Sequence, residues 1–280
     1  MQETVIANSN LHHNVNLLAL VAQAADDYLM LEHCVPPPLS KNALLEWMDT
    51  LLPKFEEAIT DMPPEAGFGG IWESEMFLFY AAVSPCAPKQ ILESGRARGK
   101  STLTLARCFP EARIISVELD SLSANATAAE AKLKPYKNVE LLYGDSRQVL
   151  QQRLQNGDAV LIDGPKGFRA LKLALQLLRT GKPCAVFLHD FPANAPARKF
   201  LEHHWPEVFF GDDPLFDQFR VLDQARDPRD PTQAQRSRRY GVFACLPPNL
   251  PAPYWQMRLR LFLPRIVSAL RRRADCAESA

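Results

Sequence analysis

Residues 91–99 read Ile-Leu-Glu-Ser-Gly-Arg-Ala-Arg-Gly, an apolar run ending in Glu93-x-Gly95-x-x-x-Gly99 and passing directly into Lys100-Ser101-Thr102. A glycine turn between a strand and a helix lets the backbone approach a ligand where a Cβ would block it. The helix start then offers free N–H groups to whatever the turn holds. The spacing points to a nucleotide-type pocket, of which several kinds exist. A P-loop requires G-x-x-x-x-G-K-[ST]; Gly99-Lys100-Ser101 supplies its end, but Ser94 stands at the first glycine. A dinucleotide turn requires G-x-G-x-x-G, and here Ala97 and Lys100 occupy its second and third glycine positions. Polar groups recur downstream: Glu118, Asp145-Ser146, Asp163-Gly164-Pro165-Lys166 and His189-Asp190-Phe191. Carboxylates accept from hydroxyl and amino donors, and the same acids also serve as helix caps or structural hydrogen-bond acceptors. His189, with an unperturbed pKa of about 6.5, suits a general base, whereas Lys166 needs its ammonium depressed by burial or a metal neighbour.

These residues must be positioned by regular elements. From about residue 90 an apolar strand, a turn and an amphipathic helix repeat roughly every 20 to 27 residues. The strands are Gln90 to Glu93, Arg113 to Glu118, Val139 to Tyr143, Ala159 to Ile162 and Ala185 to Leu188. Short strands apolar on both sides are those of a parallel sheet covered by helices on both faces, a doubly wound α/β fold. Each acid or base above then falls at the C-terminal end of a strand, where ligands of α/β sheets bind. Phe168, Leu171, Leu175 and Leu178 mark one helix face, and Gly181 is its natural stop.

Upstream, Asn42 to Ile59 and Glu73 to Val83 carry helical patterns, so residues 1–85 read as an N-terminal helical cap. The α/β domain spans 86–246, with two further strands at Glu207 to Phe210 and Tyr240 to Leu246, joined by the polar stretch 212–239. Residues 247–280 form a basic tail, in which Trp255 to Arg273 combines Leu259, Phe262, Leu263, Ile266, Val267 and Leu270 with six arginines and no acid. That segment is read as a helix packed on its own domain, with a membrane surface or another subunit as the other readings, and Pro264 kinks it.

Composition bounds the class. The 280 residues are 47% hydrophobic and 23% charged, as in ordinary globular proteins, and the balance of 32 acidic and 32 basic residues gives no support to nucleic-acid binding. The six cysteines are scattered without a CxxC pair, which fits a reducing cytoplasm. No basic residue precedes the apolar run Leu17 to Ala25, which argues against a signal peptide, and no segment has the length of a membrane span.

At Glu93, Gly95 and Gly99 the sequence resembles class I S-adenosylmethionine-dependent methyltransferases, whose first strand and turn carry an acid followed by G-x-x-x-G. The resemblance implies a Rossmann-like methyltransferase fold that binds adenosylmethionine through these residues. It also implies that Glu118 accepts from both ribose hydroxyls and that Asp145, with Ser146, lies beside the adenine. The Asp163-x-x-Lys166 spacing is similar to catechol- and caffeoyl-type O-methyltransferases, which implies that Asp163 binds a divalent metal such as magnesium and that Lys166 helps deprotonate the acceptor hydroxyl. His189-Asp190 resembles a bacterial group related to those enzymes and to cephalosporin-hydroxylase-like methyltransferases, with Asp190 as a second metal ligand and Asp163 at the edge of the cofactor site. Where the catechol-type pattern continues with Asn, this chain has Phe191, which offers no oxygen.

The expected activity is in-line methyl transfer to an oxygen of a small-molecule acceptor, activated by His189 or a metal, with Lys166 assisting. A homo-oligomer is compatible with it. Arg96, Arg98 and Lys100 are expected to face solvent, the other reading being contact with the cofactor carboxylate or an anionic substrate. Two alternatives stand beside this: a catalytically silent nucleoside-binding scaffold of the same fold, and a P-loop-like phosphotransferase.

Overall fold

The computed structural model describes residues 41–62, 70–224 and 242–262. Two helices, α1 (Lys41–Ile59) and α2 (Glu73–Val83), precede the sheet. The alternation then runs β1 (Gln90–Ser94), α3 (Lys100–Cys108), β2 (Arg113–Glu118), α4 (Ala124–Leu133), β3 (Val139–Tyr143), α5 (Ser146–Arg153) and β4 (Ala159–Ile162). It continues with α6 (Phe168–Leu178), β5 (Ala185–Leu188), α7 (Pro196–His204) and β6 (Phe209–Phe210), then a 3-10 turn (Pro214–Arg220), α8 (Val221–Gln224) and β7 (Ala244–Leu246). Residues 254–262 are again helical.

The sheet order is β3-β2-β1-β4-β5-β7-β6. The first five strands are parallel, and β7 runs antiparallel to both β5 and β6. In this order β1 and β4 are neighbours at the centre, and the chain reverses direction across the sheet between them.

Strand alternation divides the core in two. Leu92, Ile115, Val160, Ile162, Val186 and Leu188 point to one face and pack with α5, α6 and α7. Ile91, Ile114, Ala159, Leu161 and Phe187 point to the other and pack with α1, α2 and α3. Gly181, at φ +69°, ends α6 as its sequence signal requires. The helix α2 is apolar nearly all round, with Met76, Phe77, Leu78, Phe79, Ala81 and Val83 buried. Such a helix must be enclosed, and Phe79 stacks on Phe187 of β5 at 4.7 Å while Phe77 meets Phe55 of α1 at 5.0 Å. A buried phenylalanine contributes roughly 1.5–3 kcal/mol, so α2 is bound to the sheet by its own core residues. One charged residue, Glu75, is carried into that interior.

The expected strand at Glu207 to Phe210 shortens to β6, and of Tyr240 to Leu246 the described part is strand only at β7. The stretch 212–239 begins with the 3-10 turn and α8, and 225–241 lie outside the described residues. Residues 1–40 and 263–280, with Leu17 to Ala25 and Pro264, also lie outside them. No described helix is long and apolar enough to cross a membrane.

Candidate functional site

The C-terminal ends of β1 to β5 are tied together by the backbone. Gly95 N donates to Val117 O at 2.9 Å, Gly144 N to Glu118 O at 2.9 Å, and Asp163 N and Gly164 N both to Ser94 O at 2.8 and 2.9 Å. His189 N completes the row on Ile162 O at 3.0 Å. Between these ends lies a cleft of about 370 Å³, walled by Gly95, Glu118, Leu119, Asp145, Ser146 and Gly164 among others. That volume falls within the range of small-molecule sites.

Four expected binding residues, Gly95, Glu118, Asp145 and Ser146, line this cleft. Glu118 accepts from Ala97 N at 3.0 Å and from Leu119 N at 2.8 Å, so the glycine turn and the β2 end share one carboxylate. Asp145 caps α5, accepting from Arg147 N at 2.9 Å, and pairs with the Arg147 guanidinium, which holds its carboxyl below the ordinary carboxylate range. A Cβ on Gly95, at φ +85°, would stand 2.7 Å from Gly164 N, so its missing side chain is what lets the β1 and β4 loops approach each other.

Glu93 and Gly99 sit elsewhere. Glu93 is 0% exposed beneath the turn and takes the hydroxyls of Ser101, of Thr102 at 2.5 Å and of Ser116 at 2.5 Å. Burial pushes its carboxyl up, and the three hydroxyls pull it back only in part. A Cβ on Gly99 would meet Leu133 Cδ1 at 2.9 Å and Ala129 at 3.2 Å, so this glycine seats α3 against α4. Both support the turn from behind.

The cations of the turn depart from expectation. Arg98 is exposed, but Arg96 is 2% exposed, donating to Ser116 O at 2.7 Å and Leu142 O at 3.1 Å and lying 4.5 Å over the Tyr143 ring. Lys100 is buried and pairs with Glu73 of α2. Neither faces solvent: the guanidinium knits the β2 and β3 ends together, and the ammonium joins α3 to the helix before the sheet.

Asp163, Lys166, His189 and Asp190 converge beside the cleft, with Asp163 adjoining the cleft-lining Gly164. Lys166 Nζ contacts Asp163 Oδ1, Asp190 Oδ2 at 2.6 Å and His189 Nδ1 at 3.3 Å. His189 Nδ1 also bonds Asp163 Oδ1 and stands 3.5 Å from Asp190 Oδ1. One ligand atom from each of Asp163, His189 and Asp190 lies within 4.8 Å of the others. Asp190 holds φ +63°, a strained backbone for a non-glycine residue.

Sequence reasoning missed Glu75. Its Oε2 caps α2 by accepting from Trp72 N at 3.1 Å and lies 3.3 Å from His189 Nε2. Burial alone would lower the His189 pKa, but Glu75 and Asp163 on its two sides raise it from 6.5 to about 10. The ring is therefore an imidazolium at neutral pH and has no lone pair for an acceptor proton. Lys166 shows the same balance: burial opposes its charge, and Asp163 and Asp190 outweigh burial and raise it. Asp163, which burial would raise, is held below the carboxylate range by His189 and Lys166. In this arrangement both expected bases are cations. The one signal for Glu75 was an acid inside an otherwise apolar helix.

Residues 92–202 match a family model described as a methyltransferase domain. No curated protein matches the chain. Among solved structures, the chain is similar to the O-methyltransferase from Bacillus cereus in complex with SAH (20% identity, 80% of this chain, 97% of that one, TM-score 0.39). It is also similar to the O-methyltransferase TomG from Streptomyces achromogenes in complex with SAM (19% identity, 75% and 91%, TM-score 0.39). A third is the SAH-bound methyltransferase PaMTH1 of Podospora anserina (20% identity, 71% and 88%, TM-score 0.36). The stretch that matches the methyltransferase-domain model lies on the Rossmann-like α/β sheet described above.

Proposed function

We propose that the chain transfers the methyl group of S-adenosylmethionine to an oxygen of a small acceptor bound beside the charged cluster. The observation that carries this reading is the pairing of a cleft walled by the Gly95 turn, Glu118 and Asp145 with a separate cluster of alternating charge next to it. Glu118 lines the cleft, and each of its carboxylate oxygens accepts one backbone N–H and keeps a lone pair for a hydroxyl of a ribose diol. Asp145 and Ser146 stand at the β3 end to receive an adenine amino group. Glu93 and Gly99 hold the turn in place without touching the ligand.

When bound, the cofactor supplies an electrophilic methyl group on a sulfonium. The cluster suits that charge: Glu75, Asp163 and Asp190 against Lys166 and His189 leave one formal negative charge, which a sulfonium balances. In the displacement the acceptor oxygen forms the new bond to carbon as the carbon–sulfur bond breaks, so the protein's task is alignment and management of the oxygen's charge. Lys166 and His189 do this as cations that hold the acceptor as its oxyanion before attack, Asp190, whose side chain is 43% exposed, takes the hydroxyl proton on to solvent, and the oxygen's charge is consumed as the carbon–oxygen bond forms.

The carboxylates of Asp163 and Asp190, which already hold a cation in the Lys166 ammonium, fit a divalent ion, whereas His189 would join them as a nitrogen ligand only after giving up its proton. Such an ion would lower the pKa of an acceptor hydroxyl. The test is calorimetric titration with adenosylmethionine and with ATP, followed by transfer of radiolabelled methyl to a panel of phenols and catechols with and without magnesium. Adenosylmethionine binding and labelled ethers support the reading. Tighter binding of ATP, or cofactor binding with no transfer to any acceptor, overturns it.

A further inference from the structure

A second cavity, of about 570 Å³, opens between α5, α6 and the helical stretch 254–262. On α6 the buried positions Ala170, Leu171, Ala174 and Leu175 face the sheet, which turns Arg169, Lys172 and Gln176 outward along one stripe. On most helices such a stripe is simply solvated. Here Arg147 of α5 and Arg258 of the 254–262 helix wall it in, so that four cations line one cavity in a chain whose formal net charge is zero. Asp145 is the single carboxylate in the lining, and Arg147 already holds it. Among the described residues neither Arg169 nor Lys172 has an acidic partner within ion-pair distance. The Arg258 guanidinium donates to Tyr254 Oη at 2.8 Å and lies 5.0 Å over the Phe262 ring, yet its Nε is buried with no acceptor. Buried donors ordinarily have partners, and cations gathered around one cavity attract an anion into it. The remaining wall mixes Gln148, Gln151 and Gln176 with Leu173, Leu261 and two aromatic rings, Phe168 and Phe262, which line the same space as the cations.

We propose that this cavity binds a small anion carrying a planar apolar ring, an aryl phosphate or an aryl carboxylate. The anionic group is held by Arg169, Lys172 and the guanidinium of Arg258, and the ring lies between Phe168 and Phe262. The site does not depend on the methyl-transfer reading, although Asp145, Arg147 and Arg169 belong to both cavities, so an occupant here is thermodynamically linked to the cleft.

Calorimetric titration of the full chain with phenyl phosphate, benzoate and benzyl alcohol tests it. At least one anion is expected to bind in roughly the millimolar range, as suits a fragment, with benzyl alcohol about tenfold weaker or worse, and the ratio of the two anions identifies the preferred group. Lys172→Glu and Arg258→Gln should each weaken the anion roughly tenfold, and Lys172 lies at an exposed helix position where the change leaves the fold intact. Equal binding of benzyl alcohol, wild-type affinity in Lys172→Glu, or no heat from either anion overturns the proposal. Titrating the same proteins with adenosylmethionine keeps the two readings apart: phenyl phosphate bound by a protein that ignores adenosylmethionine sinks the cofactor assignment and leaves this site standing.

Discussion

Gly95→Ala is the sharpest probe of how the cleft is built. The residue sits at φ +85°, a backbone region that costs an L side chain about 1–2 kcal/mol. Its new Cβ would stand 2.7 Å from Gly164 N, 3.1 Å from Asp163 C and 3.2 Å from Gly164 Cα, all backbone atoms that cannot rotate away. Overpacking of that kind costs about 1–3 kcal/mol, and the entropy removed from the unfolded chain returns about 0.4–1. The net expectation is a loss of roughly 1–4.5 kcal/mol, about 3 at the centre of the range. Gly181→Ala is the control: φ is +69° there, but nothing lies within 4 Å of the added carbon, so only the backbone cost less the entropy gain remains, about 1 kcal/mol or below. Gly99→Ala should also be costly, because Leu133 Cδ1 lies at 2.9 Å, although that side chain can give way. Urea unfolding of the three variants measures these values, and calorimetry with adenosylmethionine separates them further. Gly95→Ala should weaken binding at least about tenfold by parting the β1 and β4 loops, while folded Gly99→Ala binds nearly as wild type. If Gly95→Ala unfolds within about 0.5 kcal/mol of Gly181→Ala, the close approach of the two loops is not the constraint it is argued to be.

Other expectations follow from the same geometry. Glu118→Ala removes the shared carboxylate of the turn and the β2 end, and should cost about 2–3 kcal/mol of cofactor affinity, roughly 30- to 150-fold, by calorimetry. Asp163→Asn strips Lys166 and His189 of their common partner and should lower turnover by about 100-fold or more with a smaller effect on cofactor binding; equal loss in both would place Asp163 in the cleft instead. The folded-state pKa of His189, about 10, lies above its ordinary 6.5, so its contribution to stability is complete below pH 6.5 and disappears as the pH rises through about 10. Unfolding free energy should therefore decline across that interval, and Glu75→Gln should flatten the decline and lower the imidazole pKa seen by NMR.

The strands were legible because burial on both sheet faces leaves a short apolar run that little else produces; β2, β3, β4 and β5 fall on their expected residues. β6 was legible only as the end of the longer expected run Glu207 to Phe210, since two paired residues are too few to fix their own bounds. The acids at strand ends were legible for the same reason as the strands. Their partners were not. Arg96 looks like a surface residue in a polar turn until the β2 and β3 carbonyls are brought over it, and Glu75 reaches His189 across more than a hundred residues of chain. The charge state of the imidazole depends on that long-range contact, which is why a free-histidine value misjudged it.

That contact also bears on how such a protein changes over time. Glu75 rides on a helix outside the matched stretch 92–202, yet it sets the protonation of a group inside that stretch. On the proposed function, the grip on a nucleoside is thus modular, whereas the reactivity of the charged quartet is on loan from the leading helices. Exchange or drift of those helices offers a route to new acceptors that leaves the cofactor pocket untouched, and a transplanted 92–202 segment would carry the pocket without the chemistry.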